Sequence, residues 1–250
     1  MSSAHLIVVR HLWVLRRGRP WNLLLEGIFE PFLYLLSVGL GIGQLVGGVG
    51  ATRYAAFVAP ALLATSAMNS AVGETTGGFW WRARFERFYD AMVTTPMRVT
   101  DIAVGETAAS VLRAILSSAC FLTVIAALGL VRSWWAVLAL PALVLVAFAF
   151  SAAGILVATL MRDMHHTQYL QLGMLPMFLF ATTFFPLSVY PGWLQPVVAV
   201  LPLYQAIELI RGLTTGVLGA GLLWAVGYLL ALGGVSLWLA QRRLARLLLT

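Results

Sequence analysis

Long apolar runs separated by short polar breaks organise this chain. Six of them, at about 22–44, 54–74, 102–130, 134–160, 167–187 and 214–240, each hold close to the 20 or so apolar residues that a bilayer core requires. Backbone groups in lipid must bond within their own segment, and no strict alternation marks barrel strands, so the runs predict helices. The stretch 1–21 has another pattern. Leu6, Ile7, Val9, Trp13 and Val14 alternate with His5, Arg10, His11 and Arg17, which predicts an interfacial helix ended by Pro20, with its arginines at the headgroups. An extra buried helix is the alternative. Residues 188–213 break around Pro202 into pieces too short to span, which predicts two short external re-entrant helices with Tyr190 and Trp193 at the interface. The expected fold is all-α and polytopic: one domain over 1–250, six transmembrane helices, an N-terminal interfacial helix and a re-entrant pair between spans five and six.

Composition supports a membrane chain and narrows its chemistry. Of the 250 residues, 61% are hydrophobic and only 10% charged, where a soluble domain holds about a quarter charged; mean hydropathy is +0.91. There is no lysine, and all 16 basic residues are arginines. A P-loop needs a lysine on the phosphates, so driven work requires a separate ATPase or an ion gradient. Arg10, Arg16, Arg17 and Arg19 interrupt the first apolar stretch, and no cleavable leader is evident. Those four fall on one side of the predicted topology with Arg82, Arg84, Arg87, Arg98, Arg162, Arg242, Arg243 and Arg246; only Arg53, Arg132 and Arg211 fall on the other. The positive-inside rule then places both termini in the cytoplasm, with an even number of spans; the expected location is a bacterial inner membrane. The net charge of +7 reads as arginines facing anionic lipid rather than nucleic acid. Cys120 stands alone, which excludes a disulfide within the chain.

The longest polar connection, 74–101, carries a short helical pattern. Phe85, Phe88, Tyr89 and Met92 fall at i, i+3, i+4 and i+7, with Arg84, Glu86, Arg87 and Asp90 off that stripe. Thr95-Pro96 stops it, and Thr100 or Asp101 is placed to cap span three. Such a stripe can anchor in the groove of a motor subunit, its charges setting register. It can equally pack on the inner leaflet or on the ends of the spans.

Charges within spans are few: Glu26, Glu30, Glu106 and Arg113. Each costs about 2.5–3.5 kcal/mol near a helix centre, so such groups seek a partner. Glu26 and Glu30 share a face (i, i+4), as do Glu106 and Arg113 (i, i+7), and an ion network between spans one and three is expected. The alternative makes the acids proton carriers. Glu208 and Arg211, at i, i+3, can pair in the external helices. Ser66, Asn69, Thr182 and Thr183 either allow close helix packing or line a substrate route. Adjacent His165 and His166 point apart on a helix, so no metal site is expected, and H-E-x-x-H and G-x-S-x-G are missing.

Several stretches, in order, carry a family likeness: Glu30-Pro31-Phe32-Leu33-Tyr34 with Gly39-Leu40-Gly41-Ile42-Gly43; Tyr54 to Ala61 running into Ser66-Ala67-Met68; Arg87-Phe88-Tyr89-Asp90-Ala91-Met92-Val93-Thr94-Thr95-Pro96 with Gly105-Glu106; and Phe185-Pro186-Leu187, Leu201-Pro202-Leu203 and Glu208-Leu209-Ile210-Arg211. In these the chain resembles the ABC-2 type permeases, in particular the nodulation protein J and daunorubicin-exporter-like branch. The resemblance implies a non-hydrolytic permease subunit of an ATP-driven exporter. It implies two ABC ATPase partners, which carry the ATP and Mg while this chain holds no cofactor, and a second permease, identical or a sister. It also implies that 84–96 is the coupling helix, with Arg84, Phe85, Glu86, Arg87, Phe88, Tyr89, Asp90 and Met92 on the ATPase. The sparse charge in the spans suits an amphipathic, lipid-linked or drug-like cargo better than an ion. The rivals are a proton-driven secondary transporter and a membrane scaffold.

Overall fold

Among the described residues, four helices are long and apolar enough to cross a membrane: Tyr54–Ala83, Val99–Ala127, Trp134–Leu160 and Ala220–Leu247. They come from a computed structural model that describes residues 4–17, 29–37, 51–84, 89, 98–131, 133–161, 163 and 165–249. In chain order the helices are α1 (Ala4–Arg17), α2 (Glu30–Ser37), α3 (Ala51–Gly73), α4 (Trp80–Arg84), α5 (Val99–Ala127), α6 (Ala139–Leu160), α7 (His165–Phe180), α8 (Gln195–Val200), α9 (Pro202–Thr215) and α10 (Ala220–Leu249). All regular structure among the described residues is helical.

The second apolar run does not stop at 74 as its hydropathy suggests. α3 continues through a π-helical segment, Glu74–Phe79, directly into α4. Its polar residues stay on the helix because their hydroxyls find backbone acceptors there: Thr75 Oγ1 donates to the Ala71 carbonyl at 2.9 Å and Thr76 Oγ1 to that of Val72 at 2.7 Å. The start of α5 is set by Arg98, whose extended backbone precedes the first turn and whose N–H donates to the Asp101 carboxylate at 3.4 Å. Asp101 thus serves as the third helical residue reaching back, rather than as the cap itself. Ser133 Oγ accepts the Trp135 N–H at 3.2 Å and caps the turn that leads into α6. α9 ends at Gly216, whose φ of +83° lets its N–H return to the Gly212 carbonyl at 2.9 Å.

α6 is the hub, packed against α3, α5 and α10, with α9 laid against α3 and α10. The main core joins Leu62, Leu63, Phe121, Leu143, Val146 and Ile207. Its facing surfaces are rich in buried alanine, including Ala59, Ala64, Ala67, Ala71, Ala142 and Ala147. Lipid tails are as apolar as leucine, so helices in a bilayer gain little from apolar side chains as such; small residues that admit close backbone approach do more. Gly154 of α6 illustrates this, since a Cβ there would meet the Thr75 hydroxyl of the π segment. Outside the core, Leu223, Trp224, Leu230, Val235 and Trp238 of α10 form an exposed apolar face.

At the arginine-rich end a second core gathers Ile7, Phe79, Trp80, Tyr89, Ile102, Ile155 and Leu244. It holds α1 against α5. α1 keeps Leu6, Val9, Trp13 and Val14 exposed and Ile7 buried. The fifth run is shorter as a helix than expected: α7 covers 16 residues and gives way to a turn at 181–185. No side chain of α7 is buried. Most of the first run, 22–44, lies outside the described residues, apart from 29–37.

Replacing Gly154 by alanine is expected to push α6 away from the π segment and to lower stability by about 1–3 kcal/mol, the usual cost of overpacking. Unfolding of the detergent-solubilised chain measures it, with Gly173→Ala, where an added Cβ meets nothing within 4 Å, as the control.

Candidate functional site

Two carboxylates lie side by side between α1, the π segment and α5. Glu106, in the first third of α5, is almost fully buried, and Glu74 opens the π segment. Arg82 of α4 bridges them: one Nη2 lies 3.1 Å from Glu74 Oε1 and 2.8 Å from Glu106 Oε2. Arg113, two turns further along α5, donates to Glu74 Oε2 at 2.7 Å. Arg10 of α1 donates to Glu106 Oε1 at 3.2 Å. His11 donates through Nδ1 to the Ile7 carbonyl at 3.0 Å, and its Nε2 lies 3.5 Å from Glu106 and 3.8 Å from Glu74.

The π segment builds this geometry. In an α-helix, residues eight apart sit roughly 80° apart around the axis. The wider π turns bring Glu74, position 78 and Arg82 into one file, and π segments recur at functional sites. Position 78 is glycine, and a Cβ there would stand 2.8 Å from Glu74 Oε1 and 3.0 Å from Arg82 Nη1. The ion pair therefore runs across the bare backbone of Gly78. Arg82 Nε also donates to the Tyr89 hydroxyl at 3.3 Å. Tyr89 is fully buried, its ring 5.2 Å from that of Phe79, and burial is the main cause pushing its phenol well above the ordinary tyrosine range.

This cluster joins α1, the π segment, α4 and α5, and is not the network expected between spans one and three. Glu106 and Arg113 belong to it, but through Glu74 and Arg82 rather than by pairing with each other. Glu26 and the side chain of Glu30 lie outside the described residues. By sequence Glu74 and Arg82 fall in the polar connection that follows the apolar run ending at 74; Arg10, expected with the other arginines at the headgroups, turns inward to Glu106, and His11 lies beside the same carboxylate. The sequence signal was the Glu74…Gly77-Gly78…Arg82 spacing, which only a π turn makes meaningful. In the segment read as the coupling helix, Phe85, Glu86, Arg87, Phe88, Asp90, Met92 and the side chain of Arg84 lie outside the described residues. Tyr89 packs on the chain's own helices, as the packing alternative had it for that residue.

At the opposite end, Arg211 of α9 donates to Glu208 at 3.0 Å and to the Thr182 carbonyl at 2.8 Å, with its guanidinium 4.1 Å from the Phe57 ring centroid. Thr182 has φ of 61°, a genuine outlier for a β-branched residue. Thr183 Oγ1 donates to the Phe178 carbonyl at 2.7 Å. Both threonines are buried and close the turn after α7. Ser66 and Asn69 lie elsewhere, in a cavity of about 440 Å³ between α2, α3 and α7. Thr65, Ser70 and Gln171 add polar groups to its walls, and Tyr34 and Phe178, in edge contact at 5.9 Å, add aromatic ones. The four residues proposed for one route therefore divide between a cavity and a structural turn.

Comparison with known proteins bears on what this arrangement serves. A family model described as ABC-2 type transporter matches residues 5–214. Nodulation protein J of Rhizobium leguminosarum bv. trifolii is 36% identical over 195 residues, 77% of this chain and 74% of the relative. Its namesake in R. leguminosarum bv. viciae is 34% identical over 229 residues, 89% of this chain and 88% of the relative. That of Rhizobium meliloti is 32% identical over 195 residues, 77% and 74% respectively.

Arg82→Gln is expected to destabilise the chain by about 3–5 kcal/mol, because it leaves two buried carboxylates short of a shared partner. Gly78→Ala should reproduce part of that loss by displacing the Glu74–Arg82 pair. A double-mutant cycle of Arg82→Gln with Glu74→Gln, read by thermal unfolding, checks that the two positions are coupled.

Proposed function

The chain belongs to the ABC-2 type transporter family and is a multi-pass membrane transport subunit, and from that premise we propose that it is the permease of an ATP-driven exporter in a bacterial inner membrane. Its single membrane domain has six spans, α2 and α7 being parts of the first and fifth, with α8 and α9 as the external re-entrant pair. Both termini face the cytoplasm. Two ABC ATPase subunits bind ATP and Mg, and a second permease, identical or a sister, faces this one across α2 and α7. The cargo is amphipathic, lipid-linked or drug-like.

The observation that carries the mechanism is the bond from Arg82 to Tyr89. Tyr89 sits inside the 84–96 segment, and Arg82 sits inside the ion cluster. Motion imposed by an ATPase on Phe85, Phe88 and Met92 would pass through Tyr89 to Arg82, and from there to α5 through Glu106 and to α1 through Arg10. Tyr89 is then a positioning residue, and Phe85, Phe88 and Met92 are the proposed anchors. The cavity that holds Ser66 and Asn69 is lined by residues of α2, α3 and α7, so relative motion of these helices would change its shape. Its mixture of hydroxyl, amide and aromatic groups suits a cargo with both polar and apolar parts. The proton-driven rival needs a carboxylate able to act as a carrier, and Glu74 and Glu106 are both engaged by guanidiniums.

Phe88→Ala is expected to leave ATP hydrolysis by the assembled complex in place while export falls by about tenfold, the loss of one good anchor. Vesicle transport assayed beside phosphate release checks it. Undiminished export, or export by the purified chain with no nucleotide-hydrolysing subunit present, would overturn the reading.

A further inference from the structure

A cleft of about 560 Å³ opens between α1 and the π segment. Arg10 and His11 of α1 and Arg82 of α4 line it together with Gly77, Gly78, Val14 and Trp81. The carboxylates they contact lie deeper: Glu106 is 2% and Glu74 10% exposed, against 27% for Arg10 and 17% for Arg82. The cleft is thus floored by guanidinium edges with the acids behind them. A Cβ at Gly77 would meet nothing within 4 Å, so that turn faces open space. Val14, Trp81 and Trp13 are exposed, and Arg17 lies 5.5 Å over the Trp13 ring. The apolar face of α1 would sit at the boundary between headgroups and acyl chains.

We propose that this cleft holds the phosphate headgroup of an anionic phospholipid, with the acyl chains running down over Trp81 and Val14. Guanidiniums recognise phosphate oxygens through charge-assisted hydrogen bonds, and basic pockets between membrane helices on the cytoplasmic side take anionic headgroups. The bare backbone at Gly77 admits the phosphate close to Arg82, and the amphipathic rim selects a lipid over a free anion. The lipid is a resident, held in place and not exported. It would fasten α1 to the π segment from the bilayer side, as Glu106 fastens it from the protein side. The placement rests on the membrane orientation proposed above but not on coupling to ATP.

The test uses the full chain in nanodiscs containing equal phosphatidylglycerol and phosphatidylcholine, with retained lipid counted by native mass spectrometry. Phosphatidylglycerol should be retained over phosphatidylcholine by about tenfold, the ratio one charge-assisted hydrogen bond can supply. Gly77→Leu, which fills the cleft without altering a charged group, should abolish the preference. Arg10→Gln serves as the second variant should that chain not fold, and should lower the preference too. Equal retention of the two lipids, a preference unchanged in either variant, or displacement of the lipid by excess inorganic phosphate would overturn the proposal. Export plays no part in the readout, so failure here is distinct from failure of the transport reading.

Discussion

Glu74 and Glu106 lie where water is scarce, and an ionised carboxylate taken out of water loses several kcal/mol of hydration even after relaxation. The arginines around them answer that loss, and each comes from a different part of the chain. Arg10 lies on α1, Arg82 on α4 beyond the π segment, and Arg113 on α5. The need to match two buried acids therefore determines where three helices meet. It also explains why α1, which has an exposed apolar face, turns Arg10 and His11 inward. A buried ion cluster is not by itself a source of stability, since apolar residues of the same volume often do as well. What it provides is register: the pairs form only when α1, the π segment and α5 are correctly aligned. Such a cluster can hold one alignment firmly and release it as a unit, the behaviour required of a joint between packed elements.

The sequence pattern revealed much of this bundle because length and hydropathy are strong constraints in lipid. The runs at 102–130 and 134–160 correspond closely to α5 and to α6 with its leading turn, while the run at 214–240 overlaps α10 (Ala220–Leu249) but begins within α9 and stops short of α10's end. The pattern failed where polarity and helicity part company. Glu74, Thr75, Thr76, Gly77 and Gly78 look like the end of a span, yet the chain stays helical through them. The threonine hydroxyls bond to the preceding turn, Glu74 finds Arg82 and Arg113, and the bare backbone of Gly78 makes room for the Glu74–Arg82 pair, a use that a hydropathy scale does not register. Glu106 and Arg113 could be recognised as network members from their position in an apolar run. Their partners could not, because i, i+8 spacing across a π turn has no place among α-helical neighbour rules.

The opposite end of the bundle shows another solution to the same problem. There Arg211 is tied to the turn after α7, and it satisfies that turn's backbone rather than a buried acid. Its bond to the Thr182 carbonyl and its stacking on Phe57 hold a β-branched residue in a left-handed conformation that costs roughly 1–3 kcal/mol. Tyr54 adds a second tie, donating to the Phe184 carbonyl at 3.0 Å. Strain of this kind persists only where surroundings over-determine it, and here α3, α7 and α9 converge on the turn at 181–185. One end of the molecule is thus aligned by charge pairs between side chains, the other by side chains that clasp a bent backbone.

Between these two fastened ends, α7 is weakly held. α7 buries no side chain along its length, and Phe29, Leu33 and Tyr34 beside it are exposed. The polar groups Asn69, Ser70 and Gln171 collect at this same flank. A face of this mixed character is poorly matched to acyl chains alone, because an amide in hydrocarbon needs a hydrogen-bonding partner. A second permease set against α2 and α7 would supply such partners and turn the cavity into an enclosed passage. The rigid part of the chain would then be the α3, α5, α6 and α10 assembly with its two fastenings. The pair α2 and α7 would be the surface that a neighbouring subunit completes and that cargo contacts.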